Sequence, residues 1–308
     1  MRFLAASFFM SHLWGIDLGG TKIEGAILDS AALDRPLCRV RVPTESEQGY
    51  EHIRRQIGRL VKTLASESGL PLPTKIGMGT PGVIDPHTGT LKNSNTQCLN
   101  GTRLRDDLEA ELGLAVVTGN DANCFALAEA TLGCAKGFPT VFGVILGTGV
   151  GGGIVVDGRV LNGCHGIAGE WGQLILDPHG PVSNYGTRGT VEAFICGPGL
   201  EKFYAEQSGR KRKLKEIVAQ VGSDEHAKAT IERLTSRFAQ AISNIIDVLD
   251  PHAIVLGGGV GNIDALYTPE TRQKITEAIF NPRFEAALLK PTLGDSAGVF
   301  GAAMLVLG

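Results

Sequence analysis

Four short segments carry residues whose chemistry is worth placing first. Asp17-Leu18-Gly19-Gly20-Thr21-Lys22 brings a carboxylate, two glycines, a hydroxyl and an ammonium together. Glycine lets the backbone turn tightly and expose N–H groups to a phosphate, while Thr21 and Lys22 add a hydroxyl donor and a charge. This is not a P-loop, which needs Lys before Ser/Thr and a helix afterwards; here the order is Thr-Lys and the sequel reads as a strand. An ordinary hairpin turn competes with the phosphate reading, and the combination of residue types favours phosphate. Gly147-Thr148-Gly149-Val150-Gly151-Gly152-Gly153 contains a formal G-x-G-x-x-G. A strand follows it where a dinucleotide fingerprint needs a helix, yet a hairpin turn lined with N–H groups and a Thr hydroxyl still suits phosphate oxygens. Gly257-Gly258-Gly259 follows a short apolar run. It is read equally well as a surface for a flat adenine ring and as a strand-to-helix turn. Asn120-Asp121 stands at the start of an alanine-rich helix, where Asp alone reads as an N-cap.

The elements that must position these residues follow from periodicity. Leu13–Leu18 and Lys22–Leu28 form a hairpin around Gly19-Gly20, with a third strand at Arg39–Val42. Tyr50, Ile53, Ile57, Leu60 and Leu64 predict a helix from Ser46 to Gly69. Strands at Lys75–Met78 and Ala115–Thr118 flank a helix at Leu104–Leu112, and a further helix runs from Asn120 to Leu132. The pattern then repeats: Val141–Leu146 is a strand, a glycine turn follows, and Gly153–Val156 and Arg159–Leu161 are hairpin strands. A long helix spans Ser223 to Leu249, capped by Ser223 and stopped by Pro251. A buried strand at Ala253–Leu256 and a final helix at Ala297–Leu307 complete the pass. Two halves that each begin strand–glycine turn–strand suggest duplication at the level of the fold.

Composition narrows the class. Of 308 residues 42 are glycine without a three-residue period, 43% are hydrophobic and 20% charged, so the chain can bury a core and is neither disordered nor collagen-like. At about 150 residues per domain the length suggests two lobes. Net charge is −3, with no basic stripe to recommend nucleic acid or an anionic membrane. Cys38, Cys98, Cys124, Cys134, Cys164 and Cys196 include no C-x-x-C pair, the pattern of thiols in a reducing cytosol. No apolar run approaches a membrane span. MRFLAASFFMSHLWG mimics a signal peptide but lacks a clear small-residue cleavage site, so it reads as a short extension, with Met1 and Met10 both open as the start and the cytoplasm as the expected location.

Taken together, Gly15–Lys22, Gly77–Asp85, Leu91–Gly101, Asn120–Phe125, Gly143–Gly153, Gly166–Gly172 and Ile254–Gly259, in this order between Ile16 and Gly301, resemble the ROK family of bacterial sugar kinases. Within it the chain looks most like the fructokinase or manno(fructo)kinase type. The resemblance implies an α/β, two-lobed actin/hexokinase-like (ribonuclease H-like) fold with an ATP cleft between lobes. The N-terminal lobe would take residues 1–119 and 296–308, and the C-terminal lobe 120–295. It implies that Gly19, Gly20, Thr21 and Lys22 together with Gly147, Thr148 and Gly149 hold ATP phosphates, and that Gly257, Gly258 and Gly259 hold the adenosine. Asp17 would sit near Mg²⁺ through water. The family's catalytic base is the Asp of an Asn-Asp pair, here Asp121. The chemistry wants such a residue, because the sugar hydroxyl must lose a proton as it attacks the γ-phosphorus. Sugar hydroxyls would be met by Asn95, Asn120, Glu170, Gln173 and Glu192, with Pro81 and Gly82 shaping the pocket floor. Trp171 reads as core rather than a sugar platform. A homodimer is implied by the resemblance alone.

One part of the family pattern is broken. ROK kinases follow Gly-Glu-x-Gly with His and then carry Cys-x-Cys-Gly-x-x-Gly-Cys, the four ligands of a structural zinc. Gly186, Gly189 and Glu192 fix the register, which puts Gln173, Ser183, Tyr185 and Thr190 at those positions. Thiolate and imidazole are what such a site requires, so no structural zinc is expected, and packing and hydrogen bonds, with Tyr185 filling the gap, must hold the loop. Cys164, His165 and His179 lie nearby in sequence but match neither the motif nor its spacing. The family's repressors carry a helix-turn-helix domain ahead of the kinase-like body; the stretch before Asp17 is too short for three helices, which disfavours that reading. The activity expected is ATP-dependent phosphorylation of a hexose, fructose to fructose 6-phosphate. Glucose, mannose, N-acetylhexosamines or a catalytically weak sugar sensor are the alternatives.

Overall fold

Each half of the chain is built on a five-stranded sheet whose central strands are apolar on both faces. The structure is a computed structural model, and it describes residues 11–183 and 186–307. By contact it divides into two units. Unit 1 takes the residues up to Ala128, Gly163–Gly166 and the chain from Gly294; unit 2 takes Glu129–Asn162 and Ile167–Leu293. The division places Asn120 and Asp121 with unit 1, whereas the expected boundary fell between 119 and 120.

Unit 1 contains β1 (His12–Leu18), β2 (Lys22–Asp29), β3 (Ala32–Pro43), β4 (Lys75–Thr80), β5 (Val83–Ile84), β6 (Leu91–Lys92) and β7 (Ala115–Asn120), with α1 (Tyr50–Ser68) and α2 (Leu104–Leu112). The sheet order is β3-β2-β1-β4-β7, with β1–β2–β3 antiparallel and β1–β4–β7 parallel. The register of β2 on β3 slips at Leu28, which faces Pro36; proline has no N–H to give the ladder and is tolerated because β3 is an edge strand. Ile53, Ile57, Leu60, Val61 and Leu64 of α1 are buried with Ile23 and Ile27 of β2 in one core. α1 begins at Tyr50 and not at Ser46: a 3₁₀ turn at Ser46–Gln48 is broken off by Gly49, whose φ of 85° is not helical. It ends as expected, with Gly69 in the left-handed region and its N–H on the Ala65 carbonyl. α3 (Asp121–Thr131) runs across the division between the units.

Unit 2 contains β8 (Thr140–Leu146), β9 (Val150–Val156), β10 (Arg159–Val160), β11 (Ala253–Gly257) and β12 (Ala287–Leu289) in the order β10-β9-β8-β11-β12. Its pairings repeat those of unit 1: two antiparallel contacts from the hairpin, then two parallel ones. The duplication suggested by the glycine turns is therefore present in the strand order. Its helices are α4 (Val191–Ile195), α5 (Gly197–Ser208), α6 (Leu214–Ala219), α7 (Glu225–Leu249), α8 (Gly258–Gly261) and α9 (Pro269–Ala278). Ile231, Leu234, Phe238, Ile242 and Ile246 of α7 share a core with Phe142, Val144, Ile254 and Leu256 of the sheet. α7 starts at Glu225 and not at Ser223, because the Asp224 carboxylate accepts the His226 N–H at 2.9 Å and is the cap. The last helix, α10 (Ala297–Met304), returns to unit 1 and packs on β1 and β4. Among the described residues no helix is long and apolar enough to cross a membrane.

Candidate active site

Unit 1 gathers the carboxylates at the ends of its parallel strands. Asp17, near the end of β1, pairs in register with Glu24 of β2 and Gly79 of β4. A Cβ on Gly298 of α10 would lie 2.6 Å from Asp17 Oδ2, so only glycine lets the start of that helix approach the carboxylate. Burial, and after it the negative charge of Asp121 and then of Glu24, raise the Asp17 pKa to about 6, against a smaller pull from Lys22. Cys124, fully buried, lies on the same floor: burial and the charges of Asp17 and Asp121 push its thiol well above the ordinary value.

The hydrogen bonds at the Asn120-Asp121 pair show which of the two residues caps the helix. Asn120 Oδ1 accepts the Asn123 N–H at 2.7 Å, the bond of an N-cap, so the cap is Asn120. Asp121 is the first helical residue; it is exposed, and its Oδ1 accepts the Ala122 N–H at 2.8 Å. Desolvation of the carboxylate by the protein around it raises its pKa, while the Ala122 N–H and its own N–H draw it down. A carboxylate released from capping, accessible and poised toward a higher pKa is what proton abstraction from a hydroxyl needs.

The remaining unit 1 residues meet through backbone contacts. Thr80 pairs with Asn120 in register, and its hydroxyl donates to the Gly82 carbonyl at 2.9 Å and the Gly119 carbonyl at 3.3 Å. This pins the Pro81-Gly82 turn beside the catalytic candidate. A Cβ on Gly82 would lie 2.6 Å from the Lys92 carbonyl, so the turn rests on the strand leading to Asn95. Asn95 is exposed, and the loop presenting it is held by Asn100, whose side chain accepts from the Ser94 N–H and donates to the Ser94 carbonyl, both at 2.9 Å. The Gly19–Lys22 turn closes through the Gly19 N–H on the Lys22 carbonyl at 2.9 Å, and the Thr44 hydroxyl donates to the Gly19 carbonyl at 2.6 Å. Gly20 and Thr21 are exposed at its tip.

Lys22 does not stand alone. Its ammonium is 3.2 Å from Glu24 Oε2, and Arg39 and Arg41 also bind that buried carboxylate, Arg41 at 2.8 Å. Burial works to raise the Glu24 pKa, but the hydrogen bonds from Arg39, Arg41 and Lys22 outweigh it and hold the group ionised below its ordinary range. Three cations thus surround one carboxylate next to Asp17. Arg39 and Arg41 escaped the sequence reading; their alternation along β3 was the available signal. Asn100 and Cys124 were likewise not singled out.

In unit 2 the second and third glycine clusters meet. β8 and β11 are parallel neighbours, and Gly257 pairs with Ile145 one residue before the Leu146–Gly147 step. Gly258, with φ of 82°, would carry a Cβ only 2.3 Å from the Leu146 carbonyl. The third cluster is the strand-to-helix turn from β11 into α8, directly beside the second. At Gly147-Thr148-Gly149 the Gly147 N–H donates to the Gly149 carbonyl at 2.9 Å, and the Gly197 N–H at the start of α5 donates to the Gly147 carbonyl at 2.8 Å.

Glu192 of α4 is buried against this same turn. Its Oε2 accepts the Val150 N–H at 3.1 Å, and its Oε1 has no hydrogen-bond partner. Burial raises its pKa against the pull of the Val150 N–H. Glu170 precedes a 3₁₀ turn, Trp171–Gln173, that lies on β9: Trp171 Nε1 donates to the Gly151 carbonyl at 3.0 Å, and its ring stands edge-on to Phe142 and Phe238. Trp171 is core. Glu170 and Gln173 are both half-buried beside it.

The positions of the family's zinc ligands hold a different chemistry. Thr190 is fully buried and caps α4, its hydroxyl accepting the Ala193 N–H at 3.2 Å. Ser183 is buried, its N–H bonded to the Thr187 carbonyl at 2.8 Å. Tyr185 lies outside the described residues. An amide and hydroxyls do not make a zinc donor set. The loop is tied by backbone bonds, Leu176 N–H to Gly189 carbonyl at 2.8 Å and Gly189 N–H to Pro181 carbonyl at 2.7 Å.

Repeated five-stranded sheets, carboxylates closing the strands of one and glycine turns closing those of the other, define the actin/hexokinase-like α/β class. The chain belongs to the ROK family, whose model matches residues 13–308. It is 36% identical over 306 residues to the N-acetyl-D-glucosamine kinase of Aliivibrio salmonicida, covering 95% of this chain and 98% of that protein. The crystal structure of a ROK hexokinase from Thermus thermophilus superposes with a TM-score of 0.83 at 33% identity, covering 96% of this chain and 97% of that one. A ROK glucokinase from Streptomyces griseus, solved with glucose and AMPPNP, superposes with a TM-score of 0.78 at 27% identity, covering 96% and 100%. The sugar-kinase expectation is met at the level of the family. Its fructokinase leaning finds no support in these relatives, which bring the N-acetylhexosamine alternative forward.

Proposed function

We propose that this protein transfers the γ-phosphoryl group of ATP to a hydroxyl of an N-acetylhexosamine, N-acetyl-D-glucosamine before fructose. The observation that carries the kinase reading is the capping of α3 by Asn120, which leaves Asp121 as an accessible carboxylate beside Asp17. The relatives that share a third of their residues with nearly the whole chain support the choice of sugar.

In this reading Asp121 accepts the proton of the sugar hydroxyl as its oxygen attacks the γ-phosphorus and ADP departs. Asn95, Asn120, Glu170 and Gln173 orient the sugar, over the floor shaped by Pro81 and Gly82. Gln173 offers both a donor and an acceptor where the family carries His. Gly19–Lys22 and Gly147–Gly149 take the phosphates, and Gly257–Gly259 the adenosine. Glu192, buried against the second turn, orders the Val150 N–H that closes it, a positioning role beside the sugar contact first assigned to it. Mg²⁺ near Asp17, reached through water, supplies counter-charge to the phosphates. A homodimer completes the proposal, and light scattering on the purified protein tests it.

The decisive assay is ADP release with Mg²⁺ and ATP across N-acetyl-D-glucosamine, glucose, mannose and fructose. N-acetyl-D-glucosamine is expected to give the highest kcat/KM. Asp121→Ala is expected to lose ~10²–10⁴-fold in kcat, the range that general-base catalysis supplies. No sugar-dependent turnover by the wild type would overturn the kinase reading; turnover fastest with fructose would overturn only the choice of sugar.

A further inference from the structure

We propose that His87, Cys164 and His165 form a binding site for a zinc-like divalent metal, separate from the loop where the family carries its zinc. One imidazole nitrogen from each histidine and the Cys164 sulfur lie within 4.8 Å of one another, and all three residues are exposed. The two rings stand 6.1 Å apart, inclined at 55°. Tetrahedral zinc, with bonds of about 2.0–2.1 Å to nitrogen and 2.3 Å to sulfur, holds its ligand atoms roughly 3.5 Å apart. Side-chain rotations that move the ligand atoms by about 1 Å close that difference.

Two independent features of unit 1 bring the ligands together. The turn after β5 is held by Asp85, whose Oδ1 accepts the N–H groups of His87 at 2.8 Å and Thr88 at 3.1 Å while Lys92 binds Oδ2 at 2.7 Å. This presents the His87 ring on a fixed backbone. The Gly163–Gly166 segment belongs to unit 1 although unit 2 flanks it in sequence. Gly166 has φ of 72°, and a Cβ there would lie 2.6 Å from Val83 Cγ1. Glycine at 166 therefore lets the segment lie against β5, which sets Cys164 and His165 beside His87.

Two imidazoles and a thiolate suit Zn²⁺ or Co²⁺, not Mg²⁺ or Ca²⁺, and three protein ligands leave the fourth position to water. On binding, the Cys164 S–H bond breaks, its proton leaves to solvent, and the sulfur electron pair forms the metal bond. The bound ion would clip the segment just ahead of Glu170 to the β5–β6 turn.

The test is a Co²⁺ titration of the full chain after chelator treatment, without nucleotide. One equivalent is expected to produce tetrahedral d–d bands and a thiolate-to-cobalt charge-transfer band. Cys164→Ser should abolish the charge-transfer band, and His87→Ala and His165→Ala should each weaken binding by at least ~10-fold, the lower end of what even outer ligand partners contribute. Circular dichroism checks that these exposed variants remain folded. A spectrum without the charge-transfer band, a band that survives Cys164→Ser, or unchanged affinity in both His variants overturns the site.

Discussion

Asp17→Asn should make the protein more stable and less active at once. Burial and two neighbouring negative charges raise the Asp17 pKa from 3.8 to about 6. The folded state therefore holds a proton that the unfolded chain has already released between those two values. Unfolding stability must fall as pH rises through this window, because the native state binds more protons there. Each pKa unit is worth about 1.36 kcal/mol, so the ionised carboxylate costs up to about 3 kcal/mol above pH 6. Partial exposure lets solvent screen some of this, which makes the figure an upper one. Replacing the carboxylate by an amide removes the pH-dependent part. Urea denaturation of wild type and variant from pH 4 to pH 8 should show a stability difference near zero at the acid end. It should grow in favour of the variant and level off above pH 6–7. In parallel, sugar-dependent ADP release should fall and Mg²⁺-ATP should protect the variant less from unfolding. A stability difference that stays flat across this range, or one that favours wild type increasingly with pH, would refute the electrostatic reasoning. Gain of stability with loss of turnover is the behaviour of a group retained for its chemistry.

Three further substitutions address the scaffolding of the site. Asn120→Ala removes the α3 cap and should lower stability by about 1 kcal/mol in urea melts; because Asp121 is then the nearest capping carboxylate, kcat should fall more than KM rises. Thr190→Ala should cost a similar ~1 kcal/mol by removing the α4 cap, and Glu192 on that helix would be disturbed with it, so KM for ATP should increase. Gly258→Ala forces a Cβ to within 2.3 Å of the Leu146 carbonyl at a φ of 82°; a loss of roughly 1–3 kcal/mol is expected from strain at such a position, and fluorescence titration with a nucleotide analogue should show weakened binding.

Much of the scaffold was legible because periodicity and glycine punctuation agree over long stretches. The α2 limits, the end of α1 at Gly69 and the first glycine hairpin lie where the residues predict, whereas β9 begins at Val150, three residues before the expected Gly153. Two helix starts were ambiguous because adjacent residues have the same propensity. Ser223 and Asp224 are both good caps, as are Asn120 and Asp121, and only a hydrogen bond tells which of each pair accepts it. α5 was not predicted, although Pro in its first turn is a start signal. The cations around Glu24 and the approach of His87 to Cys164 and His165 are long-range in sequence and follow no period. The sugar is a separate matter, since one or two hydroxyl contacts decide it.

The positions that correspond to the family's zinc ligands take part in other contacts of this loop. Thr190 stands where the family carries a ligand, and its hydroxyl caps α4, accepting the Ala193 N–H at 3.2 Å. α4 carries Glu192, whose carboxylate closes the Gly147–Gly149 turn through Val150. Thr190 is thereby coupled, through a five-residue helix, to the turn that would hold ATP phosphates. Gly189 meets the same constraint from the other side, since a Cβ there would lie 1.6 Å from the Asp177 carbonyl and would drive the two strands of the loop apart. Glycine at 189 serves the backbone crossing itself, whereas a Cβ on Gly186 would meet nothing within 4 Å. The crossing leads into α4, which delivers Glu192 to its turn.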